Sequence, residues 1–165
     1  MAAQKICIGV IGGNSANDEN LALAVEIGQH IATRDAVLVC GGLGGVMEAV
    51  SKGAHEKGGA VIGILPGTDK NAANPHVTIA LPTGMGITRN TLIAQSSDVL
   101  IALPGGYGTL SEIAFALALG KTVIHLPGTW DLRKIAPVDQ KHFKEAFDAR
   151  HAVGLALGAI SISGE

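Results

Sequence analysis

Short apolar runs and amphipathic stretches alternate along the chain. Lys5–Ile11, Ala36–Cys40, Ala60–Leu65, Val77–Leu81, Val99–Leu103 and Thr122–Leu126 are mostly apolar, the pattern of strands buried on both faces. Between them apolar residues recur at helical spacing. Ala24, Ile27, Gly28 and Ile31 share a face of a helix predicted over Asp18–Thr33, with Asp18 as its N-cap. Met47, Val50 and Ala54 do the same within Val46–Lys57, which Gly58 and Gly59 should end. A helix is predicted over Ile87–Ser96, and another starts near Thr109, with Leu110, Ile113, Ala114 and Leu117 facing inward. Strands that alternate with helices predict an α/β fold, an open and mostly parallel sheet with helices on both faces. Asp139–Arg150 reads as an exposed helix, and Ala152–Ile162 as a short apolar tail forming a last helix with a strand end. The polar stretch Thr68–His76 is expected to be a mobile loop.

Glycine gathers where the strands end. Gly12-Gly13-Asn14-Ser15 follows the first, Gly41-Gly42-Leu43-Gly44-Gly45 the second, Pro66-Gly67 the third, and Pro104-Gly105-Gly106-Tyr107-Gly108 the run Val99–Leu103. In open α/β sheets ligands bind beyond these carboxyl ends. A strand, a glycine loop and a helix N-terminus together form an anion cradle, because unpaired N–H groups and the helix dipole converge there. A phosphorylated small molecule is the expected occupant. The expected binding set is Gly12, Gly13, Asn14, Ser15, Gly41, Gly42, Gly44 and Gly45 on the amino-terminal side. Pro104, Gly105, Gly106, Tyr107, Gly108 and Thr109 complete it on the other, joined by Arg89, Asn90 and Glu112.

Individual residues admit two roles. Thr109-Leu-Ser-Glu112 fits a capping box, in which threonine and glutamate satisfy helix N-terminal donors reciprocally; the same Glu112 could act as an acid or base at the mouth of the cradle. Arg89 is the only arginine or lysine between Lys70 and Lys121. It is read as a phosphate ligand or a partner of Glu112, against a solvated helix residue. Tyr107 either stacks on a flat ligand or packs the loop. Asn14 and Ser15 either reach the ligand or make an ordinary turn. The helix after Gly108 carries Phe115, Ala116 and Leu119 as well, so it is apolar nearly all round and predicts a homo-oligomer interface.

Composition narrows the picture by exclusion. The 165 residues are most simply one domain, residues 1–165, and a net charge of -2 gives no reason to expect nucleic acid. Mean hydropathy is +0.36, yet no apolar stretch reaches the ~18 residues of a membrane span. With no cleavable leader in view, and with Cys7 and Cys40 inside predicted strands as buried thiols, a cytoplasmic protein is expected. The six histidines lack metal-ligand spacing, so no metal site is predicted. There is no Walker-type loop, no dinucleotide fingerprint with a ribose-binding acid, and no nucleophile elbow.

Gly41-Gly-Leu-Gly-Gly-Val-Met47, Gly58-Gly-Ala-Val-Ile-Gly-Ile-Leu-Pro-Gly67, Arg89 and Pro104-Gly-Gly-Tyr-Gly-Thr-Leu-Ser-Glu112 together resemble the Lonely Guy superfamily, long mislabelled as lysine decarboxylases. The resemblance covers roughly residues 5 to 127. It implies a Rossmann-like fold, a dimer or dimer of dimers, and a nucleotide-like ligand at the glycine loops. Family enzymes are phosphoribohydrolases that release a base from a nucleoside 5'-monophosphate, and their motif implies catalytic roles for Arg89 and Glu112. Those enzymes usually carry lysine after the arginine and a second glutamate before the last one; here Asn90 and Ser111 stand there. These departures, with the short loop at Gly12–Asn17, are closer to the molybdenum cofactor carrier branch. That branch implies a bound phosphorylated pterin, no turnover, and molybdoenzymes as partners. A carrier, an N-glycosidase and a nucleotide sensor are the readings in play.

Overall fold

The computed structural model describes residues 4–162. Seven strands form one sheet: β1 (Cys7–Ile11), β2 (Val37–Cys40), β3 (Val61–Leu65), β4 (Ile79–Pro82), β5 (Val99–Ala102), β6 (Thr122–His125) and β7 (Phe143–Glu145). The helices are α1 (Asp18–Thr33), α2 (Val46–Glu56), α3 (Asn90–Ser96), α4 (Tyr107–Ala118) and α5 (Ala149–Ile162). Strand order is β4-β3-β2-β1-β5-β6-β7, and every pairing is parallel. This is the Rossmann-like arrangement, its strand order reversing between β1 and β5.

Alternation along the strands divides the core in two. Ile8, Val10, Leu38, Cys40, Val99 and Ile101 face α1, α2 and α5, while Ile11, Val39, Leu100 and Ala102 face α3 and α4. Helices α1 and α2 meet at two glycines. A Cβ on Gly28 would overlap the Val50 carbonyl oxygen, and one on Gly53 the Val25 carbonyl oxygen, so the two backbones touch where no side chain fits.

Four expectations need correction. The N-cap of α1 is Asn17, not Asp18: its side-chain oxygen accepts from the Asn20 N–H at 2.9 Å, and Asp18 and Glu19 occupy the first turn. Helix α4 starts two residues early, at Tyr107, with Gly106 as an N-cap that has no side chain to offer. Thr109 and Glu112 therefore lie inside the helix and form no capping box. The stretch 139–150 is not a helix. Asp139 turns the chain by accepting from the Lys141 N–H, Phe143 opens β7 beside Val123, and Asp148 starts α5 by accepting from the His151 N–H at 2.7 Å. The tail is helix, without a strand end; its Ala152, Val153 and Ala156 are buried on the α1 side.

Within the stretch 68–76, Asn74 is tied to the glycine loop beyond β2. The Asn74 N–H donates to the Gly42 carbonyl at 2.8 Å, and its side-chain amide donates to the Leu43 carbonyl at 3.0 Å and the Ser51 hydroxyl at 3.5 Å.

Candidate functional site

A cavity of about 410 Å³ opens over the carboxyl ends of the central strands, at the point where strand order reverses. Each wall comes from a different strand end. Gly12, Gly13 and Asn14 follow β1, Leu43 and Met47 follow β2, and Pro66 follows β3. Ile87, Arg89 and Asn90 precede and open α3, and Gly106, Gly108, Thr109 and Glu112 follow β5.

The loop before α3 delivers Arg89. Gly84 (φ +65°) and Gly86 (φ +57°) take left-handed conformations, Thr83 donates its hydroxyl to the Leu65 carbonyl at 2.7 Å, and the Gly86 N–H donates to Pro66. The chain therefore turns tightly beside β3, and Arg89 becomes buried, only 8% exposed. Its Nε donates to the Ile64 carbonyl at 2.7 Å, one terminal nitrogen to the Asn90 side chain, and the other to the Gly41 carbonyl at 3.4 Å. A Cβ on Gly41 would lie 2.6 Å from that nitrogen, so glycine there makes room for the guanidinium. Burial lowers the pKa of Arg89, and the nearby Glu112 opposes that shift.

Glu112 stands on the second turn of α4, 6% exposed. Its carboxyl borders the cavity and makes no hydrogen bond or ion pair among the described residues. Burial pushes its pKa up to about 8, against the pull of Arg89. At neutral pH it is predominantly a protonated acid, a donor as well as an acceptor. The N–H groups of Gly106, Tyr107, Gly108 and Thr109 likewise donate to no described group, and the N-terminal dipole of α4 points the same way. One buried cation, a neutral acid and a row of unpaired N–H groups can hold a phosphate without a surplus of negative charge.

Of the residues expected at the site, the cavity brings together Gly12, Gly13, Asn14, Arg89, Asn90, Gly106, Gly108, Thr109 and Glu112. Ser15 is exposed and outside it. Gly41, Gly42, Gly44, Gly45 and Pro104 shape the loops beneath. Gly42 (φ +73°) packs under Leu65, and Gly45 (φ +63°) starts α2 against the Asn14 backbone. Gly105 lies behind the loop, lining a different cavity with Trp130. Tyr107 is 81% exposed, lies outside the cavity lining and stacks on Trp130 with ring centroids 6.0 Å apart. Arg89 is a buried residue, so the solvated reading falls. Leu43, Met47, Pro66 and Ile87 line the cavity without having been singled out. Helical period places Met47 only on the buried face of α2, and Pro66 ends β3 on the same sheet edge as the glycine loops.

Asn90 and Ser111, the two departures from the phosphoribohydrolase motif, meet. The Asn90 amide donates to the Ser111 hydroxyl at 3.2 Å, and both residues reach the Gly108 carbonyl, at 3.4 and 2.6 Å. Where those enzymes carry two charges, this chain has a neutral pair fastening α3 to the glycine loop. Among the described residues no group of three or more His, Cys, Asp or Glu could hold a metal ion. Nor is any described helix long and apolar enough to cross a membrane.

Sheet order and cavity together define a doubly wound α/β protein with an anion-binding crevice at its switch point. The chain belongs to the SLOG cluster4 family, whose pattern matches residues 5–155, and so to the Lonely Guy superfamily. An uncharacterised protein of Archaeoglobus fulgidus is 50% identical over 119 residues, 72% of this chain and 78% of its own length. The molybdenum cofactor binding protein of Rippkaea orientalis superposes with a TM-score of 0.89 at 38% identity, covering 96% of this chain and 99% of that one. A cytokinin riboside 5'-monophosphate phosphoribohydrolase of Arabidopsis thaliana is 36% identical over 126 residues, 74% of this chain. The chain spans about half of that enzyme's length, 55%.

Proposed function

We propose that this protein binds and carries a phosphorylated pterin, the molybdenum cofactor, with its phosphate on the N-terminus of α4 and its ring system across the crevice toward Leu43 and Ile87. The observation that carries this reading is the match to the Rippkaea orientalis cofactor-binding protein, which extends over essentially the whole of both chains. The Asn90–Ser111 pair supports it, since a carrier needs complementarity to the ground state only. The expected contacts are Gly12, Gly13, Asn14, Arg89, Asn90, Gly106, Gly108, Thr109 and Glu112. Assembly as a homodimer or homotetramer, and delivery to molybdoenzymes, belong to the same proposal.

The second reading, base release from a nucleoside 5'-monophosphate, is kept by one feature: Arg89 and Glu112 border one cavity, and burial raises the pKa of the Glu112 carboxyl to about 8, in the range of a general acid that could protonate a leaving base. Anoxic binding of molybdenum cofactor, run beside base release from AMP, separates the two. Measurable cofactor binding that Arg89→Ala weakens, with slow or absent hydrolysis, is expected. Robust turnover that disappears in Glu112→Ala would replace the carrier with the glycosidase.

A further inference from the structure

The loop from Pro104 to Gly108 has three glycines in five residues, a composition with few preferences of its own. On one flank it is tied to the loop after β1, where the Gly13 N–H donates to the Pro104 carbonyl at 3.0 Å. At its far end the Gly108 carbonyl accepts from Asn90 and Ser111, and the Gly106 carbonyl accepts the Leu110 N–H at 3.1 Å as the first bond of α4; on the flank facing β6 one side chain reaches the loop. The indole N–H of Trp130 reaches both the Gly105 and the Gly106 carbonyl, each at 3.1 Å. Trp130 is the chain's only tryptophan, and Tyr107, its only tyrosine, stacks on it with 27° between the rings. The turn after β6 places it: the Thr129 N–H and hydroxyl both donate to the Leu126 carbonyl, and Gly128 takes φ +84° beside Pro104.

In a trans peptide the carbonyl and the following N–H point in opposite directions. Holding the Gly105 and Gly106 carbonyls toward the indole therefore turns the N–H groups of Gly106 and Tyr107 away from it. These are two of the N–H groups left without a described partner at the start of α4. We infer that Trp130 is a positioning residue for the phosphate subsite, acting from behind the glycine loop through the two carbonyls. The inference rests on the reading of that loop as the phosphate cradle. It adds a residue that lies outside the cavity and outside the motif. It also makes the indole a reporter, because a phosphate seated on the loop polarises the same peptides to which the indole donates.

Inorganic phosphate is the probe. Trp130→Phe keeps an aromatic surface for Tyr107 while removing the N–H together with one ring of the indole. By calorimetry its phosphate affinity is expected to fall about tenfold, the scale of one lost hydrogen bond to a charge-binding loop, with the melting temperature little changed. The wild-type protein is expected to change its tryptophan emission, saturably, on phosphate titration. A folded Trp130→Phe that binds phosphate as tightly as wild type would overturn the inference. So would wild-type emission that stays constant at saturating phosphate, and this measurement decides the matter if the variant fails to fold. Either result, obtained with a wild type that still binds molybdenum cofactor, removes the role of Trp130 and leaves the carrier reading standing.

Discussion

At the scale of single residues, the site is governed by what burial does to charge. Glu112 titrates near 4.5 in an unfolded chain and near 8 in the fold. Between those values the folded state holds a proton that the unfolded state has released. The contribution of this group to stability is therefore fully present below about pH 4.5 and is lost as the pH rises toward 8. Glu112→Gln should remove that slope, matching wild type in urea denaturation near pH 4.5 and exceeding it at pH 8. Calorimetric phosphate binding should show the same group: wild-type affinity drops above pH 8 as the carboxylate forms, and Glu112→Gln keeps it. Gly106 gives a second test. A Cβ there meets nothing within 4 Å, so Gly106→Val should fold, yet its branches enter the cavity and should abolish ligand binding. Unchanged affinity in a folded variant would remove the loop from the site. The sequence made both residues visible, Glu112 by its motif and Gly106 by its loop. Trp130 was not visible, because its role depends on a contact between chain segments some two dozen residues apart that no local pattern encodes.

At the scale of elements, glycines of the same type have opposite consequences. Gly53→Ala should destabilise the protein by about 2–3 kcal/mol in chemical denaturation, because its Cβ would overlap a backbone carbonyl of α1 that cannot step aside. Gly154→Ala on α5, where the new Cβ meets nothing within 4 Å, should instead stabilise by about 0.5–1 kcal/mol. The six strands predicted from apolar runs are all present: the inner parallel strands are covered on both faces and so apolar throughout, and β4 is apolar although it lies exposed at the sheet edge. Strand β7 was illegible. Its three residues include one large apolar side chain, Phe143, which is held by stacking on His125 at 4.3 Å and by pairing with β6. Helix α4 was legible as a helix but its start was not. The Thr-x-x-Glu pattern suggests a cap, while a bare glycine three residues earlier leaves the first N–H groups open.

At the scale of the whole molecule, the remaining apolar surface calls for a partner. Phe115 and Leu119 on and just after α4 are 39% and 51% exposed, so light scattering should show at least a dimer, and Leu119→Glu should weaken it. A monomer across micromolar concentrations would refute this. Sheet order has a further consequence, for how the protein comes into being. Strands β1 to β4 are neighbours in sequence as well as in space, and they can assemble while the rest of the chain is still being synthesised. The crevice cannot, since its other side exists only once β5 docks on β1, a closure sealed by the Asp98 carboxylate accepting from the Cys7 N–H across 91 residues. Cargo arriving before that step finds half a seat. Cargo arriving after it bridges the early and late halves of the chain, and in binding both it acts as a clasp against their separation.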